Sequence, residues 1–347
     1  MKTFKITTIL ILMLALGAGN TVIAVEKSKK YNQSWKVSEV ETLEVSNKFG
    51  EILFENEGGS EITIAVKVTV EATNENKAST LLDKIDVKFS KSGNTAKAET
   101  TIENNFKSNR DFSIDYVINI PPDKNLVVSN KYGNTVLDKL NANGDFNIKY
   151  GNIKANEMVA PENGNMKISL GYGNGDIEKA EDLDLEVSYS NLDLGDVRDF
   201  ILDSKYSNID FDMARVVQAE SKYDKFDFGK VKSITANTKY TNIKIDYLGT
   251  KLKIENGYGG IKIADIAPDF ESISVTNSYG QIALGLNKAN YSVDASCHYC
   301  GISYPQDRFK GNRIKENNSY EIDGKVGDGD GGNIYIRSRY GEIKLND

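Results

Sequence analysis

From about residue 128 onward apolar and polar residues alternate in short runs, and each run is centred on a tyrosine. Leu183, Leu185 and Val187 precede Tyr189; Leu252 and Ile254 precede Tyr258; Ile334 and Ile336 precede Tyr340. On the far side, the third and fifth residues after the tyrosine are apolar, as with Ile209 and Phe211, Ile243 and Ile245, or Ile282 and Leu284. Alternation at period two marks strands with one buried face. Between the two runs sits a pair such as Gly-Asn, Ser-Asn or Thr-Asn, whose residues tolerate the left-handed backbone of a tight corner. Each copy therefore predicts a strand, a corner, a second strand and a return loop.

The copies carry Tyr132, Tyr150, Tyr172, Tyr189, Tyr206, Tyr223, Tyr240, Tyr258, Tyr279, Tyr299, a weaker one at Tyr320, and Tyr340. Their spacings are 18, 22, 17, 17, 17, 17, 18, 21, 20, 21 and 20 residues. A unit this short cannot bury its own apolar face, whereas stacked neighbours build a continuous core. The sequence predicts an all-β fold: a single β-solenoid, or β-helix, of about twelve short parallel coils of 17–22 residues each. At about 4.8 Å per coil this makes a rod of about 55 Å. Counted at period two, the tyrosine shares a face with Leu, Val and Ile, which predicts a buried aromatic ladder rather than an exposed sugar-stacking platform. Two residues before it, Asn130, Ser204, Ser221, Thr238, Asn256, Asn277 and Ser338 recur, and are expected to hydrogen-bond along the rod.

A further copy, Asn47-Lys48-Phe49-Gly50-Glu51-Ile52, lies 83 residues before Tyr132. The stretches Ile62 to Val70, Ile85 to Phe89 and Phe112 to Ile120 alternate strongly, and Lys77 to Ile85 reads as a short helix. Because the end of a solenoid exposes strand edges that must be covered, residues 54–127 read as a hairpin-rich N-terminal cap. At the other end Tyr340 is close to the last residue, so the final coil is expected to be a contact surface, open to end-to-end association, or to be covered by a folded-back loop. The predicted division is a leader at 1–24, a cap region with the first coil at 25–127, and solenoid repeats at 128–347.

Composition narrows the function. With 43 Lys+Arg against 50 Asp+Glu, the formal charge is −7, which argues against non-specific nucleic-acid binding. One His and two Cys leave little for a zinc site or a Ser-His-Asp triad, and no cofactor is predicted. The basic start with Lys2 and Lys5, the apolar run from Ile9 to Leu16, and Val22 and Ala24 follow the order of a secretory signal peptide, with cleavage after Ala24. The run is too short to remain as a spanning anchor, no Cys follows it to carry a lipid, and no later stretch reaches membrane-spanning length. The chain is therefore expected to be exported: periplasmic, at the cell surface, or secreted.

The Tyr-Gly-Asn-Ile repeat, the Ile118 to Val128 segment with Pro121-Pro122, and the Gly-rich Val326 to Gly332 before the closing copy resemble the bacterial "putative adhesin" β-strand-repeat family, a group of unknown function. The resemblance covers roughly residues 40–347. It implies a β-solenoid and a surface or periplasmic location, and brings no established catalytic residues.

Three places could carry chemistry. Cys297-His298-Tyr299-Cys300 lies in a solenoid corner rather than at a helix N-terminus, so a structural disulfide between Cys297 and Cys300 is favoured over redox chemistry, free thiols or a metal held with His298. The Asp- and Gly-rich stretch Asp323 to Asn333 lacks the twelve-residue calcium-loop pattern and its terminal Glu, and reads as a return loop. Asp193, Asp210 and Asp227 each fall four residues after a tyrosine, and Lys205, Lys222 and Lys239 immediately before one. In register they form an acidic and a basic row across the corner. They are either a solvated face whose rows compensate each other, or a groove for a divalent ion or charged polysaccharide. The function predicted is a non-catalytic, exported adhesin or envelope binding and scaffold protein for a surface glycan or protein. The competing reading is a polysaccharide lyase or glycoside hydrolase, which would need paired carboxylates in a walled cleft.

Overall fold

The structure, a computed structural model, describes residues 24–346. The predicted leader lies outside the described residues except for Ala24. The fold is a β-solenoid of about nine turns, fewer than the twelve coils counted from tyrosines. One reason is local: the copy at Tyr320 is not a coil but part of an antiparallel hairpin strand, Ser319–Val326.

Each coil contributes one strand to a stack before the corner and one to a stack after it. Before the corner, Thr42–Lys48, Asn125–Lys131, Gly144–Lys149, Met166–Gly171 and Leu183–Ser188 lie parallel and in register. After it, Ile52–Glu55, Thr135–Leu140, Ile153–Val159 and Asn174–Glu181 do the same. In the most regular region the return loop vanishes into the strands Asn191–Lys205, Asn208–Lys222, Lys225–Lys239 and Asn242–Tyr258. In the first three the alternation slips twice, around a single inward residue, Val197, Ala214 or Val231; the fourth holds Leu248 at that place and carries one extra residue after it. These slips turn the chain around a short third side. The interior is one continuous apolar cluster running from Val40 to Leu345.

Both ends are covered. At the N-terminal end Thr95–Ile102 and Phe112–Asn119 add parallel strands beneath Thr42–Lys48 and Ile52–Glu55. Antiparallel strands Ile85–Ser92, Glu61–Ala72 and Val25–Lys36 then follow outward. Helix Glu75–Leu82 lies beside them, its first turn capped by the Asn74 side chain accepting from the Lys77 amide. The C-terminal end departs from expectation. The last coil does not form the tip: strand Gly332–Arg339 inserts between Ser272–Tyr279 and Tyr291–His298. The tip is instead a hairpin, Phe309–Glu316 with Ser319–Val326, laid antiparallel on Tyr291–His298. A C-terminal coil buried between two others is not free for end-to-end association. The new tip strand, moreover, carries Lys310, Arg313 and Lys315 on an exposed edge, the charged edge by which proteins discourage further pairing.

Candidate functional site

The tyrosines are not buried. Tyr132, Tyr150, Tyr172, Tyr189, Tyr206, Tyr223, Tyr240, Tyr299 and Tyr340 sit at the corner itself with positive φ. At Tyr258 and Tyr279 the following Gly259 and Gly280 take that conformation instead. The corner is thus turned at the tyrosine and not by the Gly-Asn or Ser-Asn pair behind it. A left-handed residue ends the alternation, so the ring belongs to neither face and projects outward, the eleven ladder tyrosines being 38–51% exposed. They form one file of stacked rings from Phe49 and Tyr132 to Tyr279, Tyr340 and Tyr299, with centroids 4.6–5.1 Å apart. Because each ring face is covered by the next ring, the file offers solvent its edges and hydroxyls. A sugar stacks on a ring face, so this ladder is not a sugar-stacking platform.

Behind the file lies a buried polar column. Asn130, Asn256 and Asn277 donate from Nδ2 to corner carbonyls, including Gly50, Thr241, Gly259 and Gly280. The column bonds to the corner backbone more than along its own row. Asp224 occupies a place that Ser190, Ser207 and Thr241 hold in neighbouring turns, and its buried carboxylate accepts from Ser204 Oγ, Ser221 Oγ and the Ser207 amide, each at 2.7 Å. Burial pushes its pKa up, against those three bonds. At the Tyr299 corner a disulfide joins Cys297 and Cys300, and His298 Nδ1 lies 3.3 Å from Ser319 Oγ.

Charged rows flank the ridge. Lys205, Lys222 and Lys239 are in register on one side, and Lys48, Lys131 and Lys149 form a second run of the same row, separated from the first by Gly171 and Ser188. None of these six makes an ion pair among the described residues, and Lys131 and Lys239 lie over ladder rings. On the other side of the ridge, the side chains of Asn134, Asn152, Asn174, Asn191 and Asn208 form an amide ladder, each Nδ2 donating to the previous Oδ1 at 2.8–3.0 Å. Beyond it run Asp176, Asp193, Asp210 and Asp227, also in register.

The two rows do not compensate each other, because they point from different sides of the corner. The acidic row is neutralised from within at its two ends only: Lys154 pairs with Asp176 at 3.2 Å, and Lys244 with Asp227 at 2.8 Å. The hydrogen bond from Lys244 holds Asp227 below the usual carboxylate range. Asp210, in mid-row, is pushed up by burial and then by Asp193 and Asp227. No group of three or more metal-ligating side chains converges among the described residues. The stretch from Asp323 contributes the end of one strand and a loop with Gly327 and Gly329 at positive φ.

One feature was not anticipated. A groove of about 630 Å³ runs along the short third side. Val197, Ala214 and Val231 form its floor, with Met213 and Tyr247 on one wall and Arg198, Arg215 and Lys232 on the other. The signal was in the sequence: Arg198, Arg215 and Lys232 recur every 17 residues. Arg198 is tied to Glu181 and Asp182, and Arg215 to Asp199, so most of its charge is already engaged.

No family model matches the chain, and no curated protein matches it. Among solved structures, a putative adhesin from Bacteroides fragilis is 16% identical, with a TM-score of 0.38, covering 69% of this chain and 97% of that one. A putative lipid binding protein from Parabacteroides distasonis is 15% identical at a TM-score of 0.38, covering 72% of this chain and 96% of that one. A putative adhesin from Parabacteroides merdae is 8% identical at 0.28, covering 91% and 96%. Adhesin descriptions thus recur among the neighbours, as in the family that the repeats resemble. Likenesses this distant bring no ligand, activity or location to this chain.

Proposed function

We propose that this chain is an exported, non-catalytic binding rod that holds an extended acidic polysaccharide along its lysine ridge. The observation that carries the reading is the in-register row Lys205, Lys222 and Lys239, unpaired among the described residues and running beside the exposed tyrosine edges. Ammonium groups one turn apart repel by about 0.9 kcal/mol per neighbouring pair in water, a cost that a polyanion laid along them relieves. The net charge of −7 does not forbid this, since exposed charges beyond about 8 Å are largely screened at physiological salt. Adhesin or scaffold describes such a protein; the leader supports export, and no helix among the described residues is long and apolar enough to cross a membrane.

The enzyme reading finds less support. The carboxylates pushed up in pKa are Asp210, whose neighbours Asp193 and Asp227 stand in the same row along one strand stack, and Asp224, buried behind the ladder, whereas a glycosidase pair flanks the bond it cleaves. The test is incubation of residues 25–347 with acidic and neutral polysaccharides, with retention and new reducing ends both measured. Retention of acidic chains without cleavage is expected. New reducing ends or unsaturated products would contradict the non-catalytic reading, and retention of neutral chains alone would contradict the lysine ridge.

A further inference from the structure

Eleven exposed phenols stand in a single file, and each inner one has two others within 4.6–5.1 Å. Most ring pairs are nearly parallel, with Tyr206 and Tyr223 within 1° and Tyr172 and Tyr189 within 2°. The turn spacing of about 4.8 Å exceeds the roughly 3.5–4.0 Å of carbon–carbon contact, so each ring has slack to tip toward a neighbour. Each of the eleven is 38–51% exposed, with Lys131, Lys239 and Arg339 lying over rings of the file.

We propose that this ladder is a site of oxidative modification, at which one-electron oxidation joins neighbouring rungs as dityrosine. The oxidant is of the peroxidase and hydrogen peroxide class. It removes one electron and the phenolic proton from each of two adjacent tyrosines. The two phenoxyl radicals form a carbon–carbon bond between ring positions next to the oxygens. Each bonded carbon then loses its hydrogen as a proton while its ring oxygen regains one, which restores both phenols. In sum, two tyrosines and one hydrogen peroxide give one dityrosine and two waters. For an isolated exposed tyrosine this coupling needs a chance encounter with a second molecule. In the ladder the partner is already held beside it, and such pre-positioning makes a bimolecular step intramolecular.

The structure also fixes which pairs can join. The file ends at Phe49, which has no phenolic proton, so linkage stops at Tyr132. At the other end Tyr340 lies between Tyr279 and Tyr299, 4.9 Å from the first and 5.0 Å from the second. Tyr279 and Tyr299, which carry successive copies of the repeat, are not neighbours in the ladder. Tyr247 and Tyr335 are also exposed but stand outside the file and serve as internal controls.

The experiment treats the purified protein with a plant peroxidase and hydrogen peroxide, at two protein concentrations tenfold apart. Protease digestion and mass mapping then locate peptides joined with the loss of two hydrogens. Intrachain links Tyr189–Tyr206, Tyr206–Tyr223, Tyr279–Tyr340 and Tyr299–Tyr340 are expected at yields unchanged by dilution, with no Tyr279–Tyr299 link. Links through Tyr247 and Tyr335 should join separate chains and fall about tenfold on dilution. Tyr223→Phe preserves a stacked ring and should abolish only the links to Tyr206 and Tyr240. Absence of dityrosine would overturn the proposal. So would ladder links that fade with dilution, or a Tyr279–Tyr299 link as abundant as those through Tyr340.

Discussion

At Tyr206 two forces oppose each other, and substitutions there show which one wins. The residue holds φ +53°, a conformation that costs a side chain with a Cβ about 1–2 kcal/mol. Against this, its ring stacks on Tyr189 and on Tyr223, each at 4.9 Å. Such pairs are worth about 0.5–1.5 kcal/mol apiece, or about 1–3 kcal/mol for the two. Tyr206→Phe keeps the stack and the strain, and should stay within about 0.5 kcal/mol of the wild type. Tyr206→Ala keeps the strain and loses the stack, so a loss of about 1–3 kcal/mol is expected. Tyr206→Gly loses the stack but is relieved of the strain. Even after the roughly 0.5–1 kcal/mol of extra chain entropy that glycine surrenders, it should fold more stably than the alanine variant. Urea unfolding followed by far-ultraviolet circular dichroism measures the series. Trp35, packed near Phe89 in the N-terminal cap, gives a fluorescence signal that reports the cap alone. An alanine variant as stable as the wild type, or more stable than the glycine variant, would refute the claim that stacking sustains the left-handed corner.

Three further outcomes follow from the interior and the corners. Asp224 has a raised pKa in the fold, so the folded state keeps its proton to higher pH than the unfolded chain and stability falls as pH rises from about 3.9 through the folded value. Asp224→Ser, the residue of the preceding turn, should therefore gain stability relative to the wild type between pH 4 and pH 7 in paired denaturation curves, and a relative loss would contradict the burial argument. A Cβ at Gly151 would lie 2.0 Å from the carbonyl oxygen of Gly133, whereas one at Gly301 would meet nothing within 4 Å. Gly151→Ala should cost about 3 kcal/mol or more, and Gly301→Ala within about 0.5 kcal/mol, by thermal or urea unfolding. The Cys297–Cys300 disulfide closes a loop of sequence separation 3, worth about 2 kcal/mol in the chain-entropy account, so reduction should loosen the C-terminal corner by no more than that in hydrogen exchange.

Much of this fold was legible because a stacked repeat writes the same geometry many times. The spacing of the tyrosines located the coils, and the alternation on either side located the strands. The place of the tyrosine itself was misread by carrying period two through the corner. Upstream the apolar residues fall at even distances from it, as with Val187 and Leu185 before Tyr189; downstream they fall at odd distances, as with Ile209 and Phe211 after Tyr206. That change of parity can only happen at a corner, so the sequence did hold the evidence that the ring faces outward. The interleaving of the last coil was beyond local reading, since strands of similar pattern can pair in several orders. Only the weakness of the copy at Tyr320, now a hairpin strand, hinted that the order breaks there. The register of Asp193, Asp210 and Asp227 followed from the 17-residue spacing, and so did the pairing of Lys244 with Asp227, one 17-residue turn away, whereas the pairing of Lys154 with Asp176 spans a 22-residue turn.

The lysine ridge is the central claim, and one comparison tests it most directly. The wild type and the triple variant Lys205→Ala, Lys222→Ala, Lys239→Ala would be titrated with an acidic polysaccharide such as alginate, at low and at physiological salt. The ridge predicts binding that weakens with salt and falls at least about tenfold in the triple variant, a change of about 1.4 kcal/mol, with an unfolding curve unchanged or shifted toward greater stability. Equal binding by the triple variant, or a loss seen on replacing Asp193 and Asp210 instead, would contradict it.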